Sequence, residues 1–371
     1  MKRTRRMNHL GLTIALAGLL VILMTTSLRA ASAYFFTRAT IGSIDRDSTS
    51  PSINGDGSRI AFHSDADLLG QGIPLGQREI WLYDTAAKAL TRITTGSSGR
   101  ESRSPSISSD GTKIAFYSDA DLLGQGIPQY QDEIWLYDTA TMTLMRVTTG
   151  SIGRYSYGAS INSDGTKIAF RSSVDFLDQG IPQSQYEIWL YDTATMTFTR
   201  VTTGNSGRYS YGPSISGDGS KIAFYSDADF LGQGIPQGQM EIWLYDTATM
   251  TLTRVTTGSS DGASRNPSIN SDGTKIAFSS DTDFLGQGVL DDQDEIWLYD
   301  TATMTLIQVT TGSIGRESRY PSINSDGNRI AFYSDVNFLG QVGIPRSQNE
   351  IWLATSPSTC YLPMIVMNGS P

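Results

Sequence analysis

The sequence predicts an all-β chain folded as a six-bladed β-propeller with four antiparallel strands per blade, and three observations predict it. All six tryptophans recur at a spacing of 54 residues four times and 55 residues once. An Asp-Gly pair recurs in step with them, and a strict period in this range is typical of propellers and other repeat folds. Each of the first five repeats contains four short β-prone segments, and no repeat shows sustained helical periodicity of apolar residues. The tryptophans are Trp81, Trp135, Trp189, Trp243, Trp297 and Trp352.

The second repeat shows the predicted elements in order. Residues 105–108 form a first short strand, and the Asp110-Gly111 pair that follows has the composition of a tight hairpin turn. Residues 113–118 and 133–137 form the second and third strands. The third is apolar on both faces, as expected of a sheet packed between two neighbours. Residues 143–148 form the fourth strand, which ends in β-branched residues.

The ends of the repeat array predict how the ring closes. The last repeat has a third strand at 350–353 but no matching fourth strand after it. The missing segment stands at the front, where residues 36–40 match residues 198–202. We therefore predict that the N-terminal strand completes the last blade. The propeller would then comprise residues 34–355 and leave no blade edge open.

Residues 1–33 have the composition of a signal peptide. A basic segment is followed by an uncharged, mostly apolar stretch at 10–24 and by the small-residue cleavage site Ala31-Ser32-Ala33. Cleavage there predicts an exported protein that is periplasmic, cell-surface-bound or extracellular. The alternative is an uncleaved membrane anchor.

A tail at 356–371 lies outside the repeats. Its apolar run at 361–367 is too short to span a membrane, and it either packs on the propeller or meets a partner. The single cysteine, Cys360, lies in this tail and is either an idle thiol or a point of intermolecular pairing.

One recurring run resembles a known family. The pattern Pro-Ser-Ile-(Asn/Ser)-x-Asp-Gly-x-(Lys/Arg)-Ile-Ala-Phe, as at 105–116, resembles the WD-like repeat of the TolB-type propellers. The resemblance implies the propeller fold. It leaves the role open, because such repeats occur in transport-complex proteins, peptidase accessory domains and lyases. TolB itself has a further α/β domain ahead of its propeller, and we expect none here, so the resemblance does not imply a TolB role.

The chain offers few residues for catalysis. His63 is the only histidine after residue 33, and we expect it to be a surface or inter-blade strand residue. A Ser-His-Asp hydrolase would need His63 as its base, and the Asp-Gly turns do not match the Asp-boxes of sialidases. Oligogalacturonate lyases resemble this repeat too but hold a metal through clustered histidines, which one histidine cannot supply.

No cofactor is predicted, although calcium is an open alternative. The loop between the second and third strands carries paired aspartates in four repeats, and calcium prefers oxygen ligands. The competing interpretation is that these carboxylates accept hydrogen bonds from their own loop backbone. The pairs are Asp65 with Asp67, Asp119 with Asp121, Asp227 with Asp229, and Asp281 with Asp283.

The loops joining successive repeats carry the variable, chemically rich residues, which is typical of a recognition face. One position has arginine in five repeats and Gly262 in the other: Arg46, Arg100, Arg154, Arg208 and Arg316. Three residues on, a second position has Thr49, Arg103, Tyr157, Tyr211, Arg265 and Arg319. Tyr155 and Tyr209 lie beside it. We predict that these arginines and tyrosines bind a ligand. The alternative is structural: Arg100 and Arg316, which are followed by Glu101 and Glu317, pair between loops or stack on tyrosines.

These observations predict a monomeric, exported binding module without catalytic activity. The formal net charge is −9, and the residues after 33 carry −14, which argues against a nucleic-acid partner. Arginine and tyrosine around a concave mouth suit carboxylates, sugars or a protein loop. The expected partner is therefore a protein or a polysaccharide at the cell surface. The alternative is a carbohydrate-active or other hydrolytic or lyase enzyme that uses arginine, tyrosine and carboxylates on the same face.

Overall fold

The computed structural model describes residues 39–40, 46–258, 262–289, 293–312, 315–336, 338 and 350–356. All regular elements in these ranges are β-strands, and they form six sheets arranged as the blades of a propeller. This confirms the predicted all-β, six-bladed fold. Within the described ranges no helix is long and apolar enough to cross a membrane.

The strands fall into four sets according to their place in the blade. The innermost strands are β1 (Ser48–Ile53), β5 (Ser102–Ile107), β9 (Ser156–Ile161), β13 (Ser210–Ile215), β17 (Ser264–Ile269) and β21 (Ser318–Ile323). The second strands are β2 (Arg59–Ser64), β6 (Lys113–Ser118), β10 (Lys167–Ser172), β14 (Lys221–Ser226), β18 (Lys275–Ser280) and β22 (Arg329–Ser334). The third strands are β3 (Glu79–Asp84), β7 (Glu133–Asp138), β11 (Glu187–Asp192), β15 (Glu241–Asp246), β19 (Glu295–Asp300) and β23 (Glu350–Thr355). The fourth strands are β4 (Ala89–Arg92), β8 (Thr143–Arg146), β12 (Thr197–Arg200), β16 (Thr251–Arg254) and β20 (Thr305–Gln308).

Every blade is an antiparallel sheet whose strands lie in chain order. The first five sheets have four strands, and the sixth contains β21, β22 and β23 among the described residues. Short turns of four or five residues place the second strand beside the first and the fourth beside the third, and a long loop joins the second strand to the third. The loops between second and third strands and those between blades therefore lie at one end of the ring, and the short turns lie at the other.

The core lies between neighbouring blades. In the cluster between the third and fourth blades, Val201 packs against the same group of side chains as Trp243. The Ser160 hydroxyl also accepts a hydrogen bond from the Ile215 amide of the next blade at 3.2 Å. The tryptophans of the first five blades are completely buried, as the sequence predicts for core residues.

The junction between the sixth and first blades differs from the other five. Ile53 is 60% exposed, whereas its counterpart Ile107 in the second blade is 6% exposed. A cavity of about 690 Å³ lies between residues 51–55 and residues 322–325. This junction is therefore more open than the others, in which the same isoleucine packs on the preceding blade.

The predicted closing strand at 36–40 lies outside the described residues, except for Ala39 and Thr40, which belong to no strand. Ala39 packs against the cluster of the first blade that contains Trp81. Ile93 has the equivalent place in the cluster between the first and second blades. The predicted signal peptide at 1–33 and the tail beyond Ser356 also lie outside the described residues.

Candidate functional site

A β-bulge in each innermost strand positions the variable residues of the predicted site. In β9 the register shifts between Tyr157 and Ser160, and Gly158 in the bulge has φ of 63°. A bulge bends its strand and re-aims the neighbouring side chains. In every blade the residue beside the bulge is one of the predicted ligand-binding positions. Those positions pair across the sheet with His63, Tyr117, Arg171, Tyr225, Ser279 and Tyr333.

A third variable position joins these two. It directly precedes the third strand, and its backbone carbonyl accepts a hydrogen bond from the innermost strand of the next blade, as between Asp132 and the Ser156 amide at 2.9 Å. The described residues at this position are Arg78, Asp132, Tyr186, Met240 and Asp294. We call three sets of positions together the mouth: those beside the bulge, those that pair with them on the second strand, and those that directly precede the third strand.

The arginines at the first variable loop position, which we call the outer arginines, donate hydrogen bonds to other parts of the protein. The Arg208 guanidinium donates hydrogen bonds to the carbonyl oxygens of Asp227 and, at 2.9 Å, Ile235. Both acceptors belong to the long loop of the same blade. Arg46, Arg100 and Arg154 each make the equivalent pair of bonds, and Arg316 donates to the Asp335 carbonyl. These arginines therefore fasten the long loops.

Because its guanidinium holds a loop, we expect Arg208→Ala to lower the stability of the protein. Two partly buried carbonyl oxygens lose their donors, and an unsatisfied buried group costs about 1–3 kcal/mol. Chemical denaturation should show this loss. Thr166→Ala, which removes an exposed hydroxyl on the opposite face, is the control and should change stability by less than about 0.5 kcal/mol. Equal stability of the two variants would contradict the structural role.

An arginine surrounded by tyrosines lies at the centre of the mouth, between the third and fourth blades. The Arg171 guanidinium lies 5.0 Å from the ring centroid of Tyr157, 5.2 Å from that of Tyr186 and 5.0 Å from that of Tyr211. These distances are within cation–π range. No carboxylate among the described residues forms an ion pair with Arg171. We call these four residues the Arg171 cluster.

Further tyrosines extend the Arg171 cluster on both sides. Tyr155 stacks on Tyr157 at 6.0 Å, and Tyr117 meets Tyr157 edge-on at 5.5 Å. On the other side, Tyr225 stacks on Tyr211 at 5.4 Å and Tyr209 lies 6.2 Å from Tyr211. Four of the predicted binding residues, the tyrosines at 155, 157, 209 and 211, are therefore together in one aromatic surface.

The arginines at the second variable loop position differ in whether they form an ion pair with a carboxylate. Arg103 forms an ion pair with Glu101, as the pairing alternative predicts for that glutamate, although with a different arginine. Arg319 pairs with Asp294 of the preceding blade and, at 3.0 Å, with Glu317. Arg265 forms no ion pair with any described residue, although its charge lowers the pKa of Asp281. Arg171 and Arg265 are therefore the mouth arginines that form no ion pair in these ranges.

Asp132 gives one side of the mouth an unusual acid. Burial, followed by the negative charge of Asp119, raises the pKa of Asp132 from 3.8 to about 7. Burial and the neighbouring Asp132 in turn raise the pKa of Tyr157. A pocket of about 160 Å³ lined by Glu101, Arg103, Asp119 and Asp132 opens beside these two groups. The mouth therefore contains a carboxyl group that is partly protonated near neutral pH.

This raised pKa predicts a pH dependence of stability. The folded-state pKa lies above the unfolded value, so the stabilising contribution of protonated Asp132 is complete below about pH 4 and is lost as the pH rises to about 7. We expect the stability of the wild type relative to Asp132→Asn to fall over this range in denaturation experiments. Asp138, whose pKa is lowered by a hydrogen bond from the Thr141 amide, supplies a control: relative to Asp138→Asn, wild-type stability should rise only below about pH 5 and stay constant from there to pH 7. A stability difference between the wild type and Asp132→Asn that does not change with pH would contradict the raised pKa.

His63 is an inter-blade residue, as the sequence analysis expects. Its Nε2 lies 2.8 Å from the Thr49 hydroxyl, and its Nδ1 accepts a hydrogen bond from the Ser104 amide of the next blade at 3.3 Å. Burial and the positive charges of Arg78 and Arg103 lower its pKa to about 4. Both ring nitrogens are thus engaged in structure.

The loop aspartates accept hydrogen bonds from backbone amides. Asp67 accepts from Gln71 and Gly72 at 2.6 and 2.7 Å, and Asp65 accepts from the Asp47 amide at 2.7 Å. The same pattern recurs in the other repeats. These contacts are the ones expected if the loop carboxylates accept hydrogen bonds from backbone amides instead of binding calcium. The described residues contain no group of three or more histidine, cysteine, aspartate or glutamate side chains that could hold a metal ion.

The central channel narrows strongly at the end opposite the mouth. The Ser163 and Ser271 hydroxyls approach to 3.5 Å across it. A Cβ at Gly217 would lie 2.4 and 2.2 Å from these two oxygens, so only glycine fits there. The turns of the third, fourth and fifth blades therefore approach one another closely at this end of the ring.

No family model and no curated protein sequence matches this chain. Several solved structures are similar to this chain. TolB from Acinetobacter baumannii is 19% identical with a TM-score of 0.46; the match covers 78% of this chain and 57% of that one. A TolB-type protein from Agrobacterium tumefaciens is 18% identical with a TM-score of 0.50, covering 84% and 91%. A prolyl endopeptidase is 13% identical with a TM-score of 0.55, covering 84% of this chain and 41% of that one.

These similarities concern the fold. The chain has the β-propeller fold of TolB and related proteins, as its repeat pattern indicates. Enzymes are among the similar structures: besides the prolyl endopeptidase, an acylaminoacyl peptidase from Pyrococcus horikoshii matches with a TM-score of 0.50. The fold therefore does not separate binding proteins from enzymes, and the mouth residues must carry the functional argument.

Proposed function

We propose that this protein is an exported binding module that recognises a protein or a glycan through the mouth. The observation that carries the proposal is the Arg171 cluster, in which an arginine without a carboxylate partner among the described residues lies among three tyrosine rings. Arginine and tyrosine are enriched among residues that dominate binding energy. Their position on the long-loop face, where the variable residues lie together, supports a role in recognition.

The charges of the mouth favour a ligand with carboxylate or other anionic groups on this side. The hydroxyl of Tyr225 lies near enough to both Arg171 and Arg265 for each charge to lower its pKa, although burial raises it overall. Two unbalanced guanidiniums thus flank one aromatic surface. Because the whole chain is acidic, direct contact rather than long-range attraction would hold such a ligand.

A glycan array and a pull-down with the purified protein would identify the ligand. Arg171→Ala and Tyr211→Ala should then each weaken binding by about 1 kcal/mol or more, which is about fivefold. Thr166→Ala on the turn face is the control and should leave affinity unchanged. If the control weakens binding and the two mouth variants do not, the ligand binds the other face and the proposal is wrong.

A carbohydrate-active enzyme is the second candidate, favoured by the pKa of about 7 at Asp132. A carboxyl group that titrates near neutral pH can act as a general acid or base. Under this alternative, incubation with a glycan or ester panel should release product, and Asp132→Asn should abolish turnover while retaining binding. Saturable binding without product supports the binding module instead.

Export is part of the proposal. It is supported by the composition of residues 1–33. Mass spectrometry of the protein recovered outside the cytoplasm should find Tyr34 at its N-terminus; an intact first segment would support the anchor alternative.

A further inference from the structure

The interface between the fifth and sixth blades lacks an aromatic ring that the other interfaces contain. At one position of the third strand, five blades have a buried tyrosine and the sixth has Ala354, which pairs with Ile330 as each tyrosine pairs with its own isoleucine. The tyrosines are Tyr83, Tyr137, Tyr191, Tyr245 and Tyr299, and all are less than 10% exposed.

An apolar pocket occupies the place of the missing ring. Tyr137 packs in one cluster with Ile93 of the preceding blade, and Ala354 contacts Val309 at the equivalent place. The pocket has a volume of about 270 Å³ and is lined by Leu298, Ile307, Val309, Ile330, Ala354 and the backbone around Ser356. The equivalent groove between the first and second blades, which contains Tyr137, measures about 190 Å³.

The fifth blade also contributes apolar surface that three of the other blades lack, while the second blade has Met145 at the same position. Ile307 on the fourth strand is 54% exposed. Thr91, Thr199 and Thr253 have its place in three of the other blades. An exposed isoleucine beside a vacant aromatic position is typical of a surface that another apolar segment covers.

We propose that the tail of this chain covers the pocket, with the Tyr361 side chain taking the position that the other interfaces give to their own tyrosine. Ser356, the last described residue, lines the pocket. Four residues separate it from Tyr361, and the five Cα–Cα steps span up to about 17 Å when extended, so the chain can return to a pocket at its own base.

The composition of the tail fits this occupant. Residues 357–371 contain no charged side chain, and the run at 361–367 is apolar apart from the tyrosine hydroxyl. The binding would thus rest on burial of apolar surface from both sides. An aromatic ring inserted between Val309 and Ile330 also restores the packing of the regular interfaces.

Cys360, the only cysteine, lies next to Tyr361 and reports on docking. The rate at which a thiol reagent such as DTNB modifies Cys360 in the full chain should be at least about tenfold lower under native conditions than in denaturant, as expected for a locally protected segment. Tyr361→Ala and Ala354→Tyr should each raise the native rate towards the denatured one. The first variant removes the ring, and the second fills its pocket from within the strand.

Ile351→Tyr is the matched control, because it places a ring on the opposite face of the same strand, where Ile351 is 80% exposed. It should leave the rate of modification unchanged. Tyr361→Ala changes a residue outside the blades, so its result does not depend on whether the Ala354 variant folds. An unprotected thiol in the wild type, or equal rates in the wild type and both variants, would overturn the proposal. Protection that increases with protein concentration would also overturn it, because a second copy would then supply the tail.

Discussion

Trp189→Ala is expected to lower the free energy of unfolding by about 3–5 kcal/mol, as large-to-small substitutions in a core do. Trp189 is completely buried between the second and third blades. Its ring meets Phe176 edge-on at 4.9 Å. Alanine would leave a cavity that the surrounding strands can fill only in part, because their backbones are held by ladders on both sides. Urea denaturation followed by circular dichroism would measure the loss.

Trp352 offers a matched control within the same chain. It has the equivalent position in the sixth blade but is only partly buried, and its indole donates a hydrogen bond to the Ser334 carbonyl at 3.3 Å. Trp352→Ala should therefore destabilise the protein less than Trp189→Ala. A loss below about 1 kcal/mol at Trp189, accompanied by loss of ligand binding, would mean that the tryptophans are ligand platforms rather than core residues.

The periodic features of the sequence were sufficient to predict the blades. Tryptophan and Asp-Gly spacing reveal the repeat, and the β-branched and aromatic residues between the turns indicate strands. These signals are local, so they need no knowledge of which blades touch. Residues 36–40 show the limit of this reasoning, because their match to a fourth strand predicts ring closure but the structure describes only two of them.

The candidate site was predictable only in part. Variation in the loops pointed to Tyr157 and Tyr211, but it also pointed to Arg208, whose partners are backbone carbonyls 19 and 27 residues away. A long side chain reaches partners that spacing does not reveal. Arg171 was not among the predicted residues, although the same criterion applies to it: its position varies among histidine, tyrosine, arginine and serine in an otherwise repetitive strand.

The residue between Gln and Glu before each third strand was missed for the same reason. It varies between Asp132, Tyr186 and Met240 inside an invariant frame. Conversely, the invariant glutamate after it was missed because identical positions do not reveal whether they serve packing or hydrogen bonding. The glutamates at this position take part in a buried ionic network.

That network repeats in the first four blades, and the third blade illustrates it. The Glu187 carboxylate is completely buried and accepts hydrogen bonds from the Arg200 guanidinium at 2.9 Å and the Thr202 hydroxyl at 2.5 Å. It also accepts from the Gly204 amide at 2.9 Å and the Gln185 amide at 2.8 Å. One side chain thus joins the third strand to the fourth strand and to the loop leading to the next blade.

Glu187→Gln is expected to cost about 3–5 kcal/mol of stability, because removing one partner of a buried ion pair leaves the other charge uncompensated. The Arg200 side chain is only 12% exposed and has no second carboxylate in this network. An amide also replaces one acceptor oxygen with a donor that faces other donors. Denaturant unfolding of the variant against the wild type measures the loss.

The fifth blade provides the control for Glu187→Gln. Glu295 makes the same bonds to Thr310 and Gln293, but Gln308 stands where the other blades have arginine. Glu295→Gln leaves no guanidinium without its carboxylate partner, so it should destabilise the protein less than Glu187→Gln. Arg200→Gln recreates the fifth-blade arrangement and should also cost less than Glu187→Gln, since the remaining carboxylate keeps three donors. Equal losses in Glu187→Gln and Glu295→Gln would show that the hydrogen bonds, and not the ion pair, supply the stabilisation.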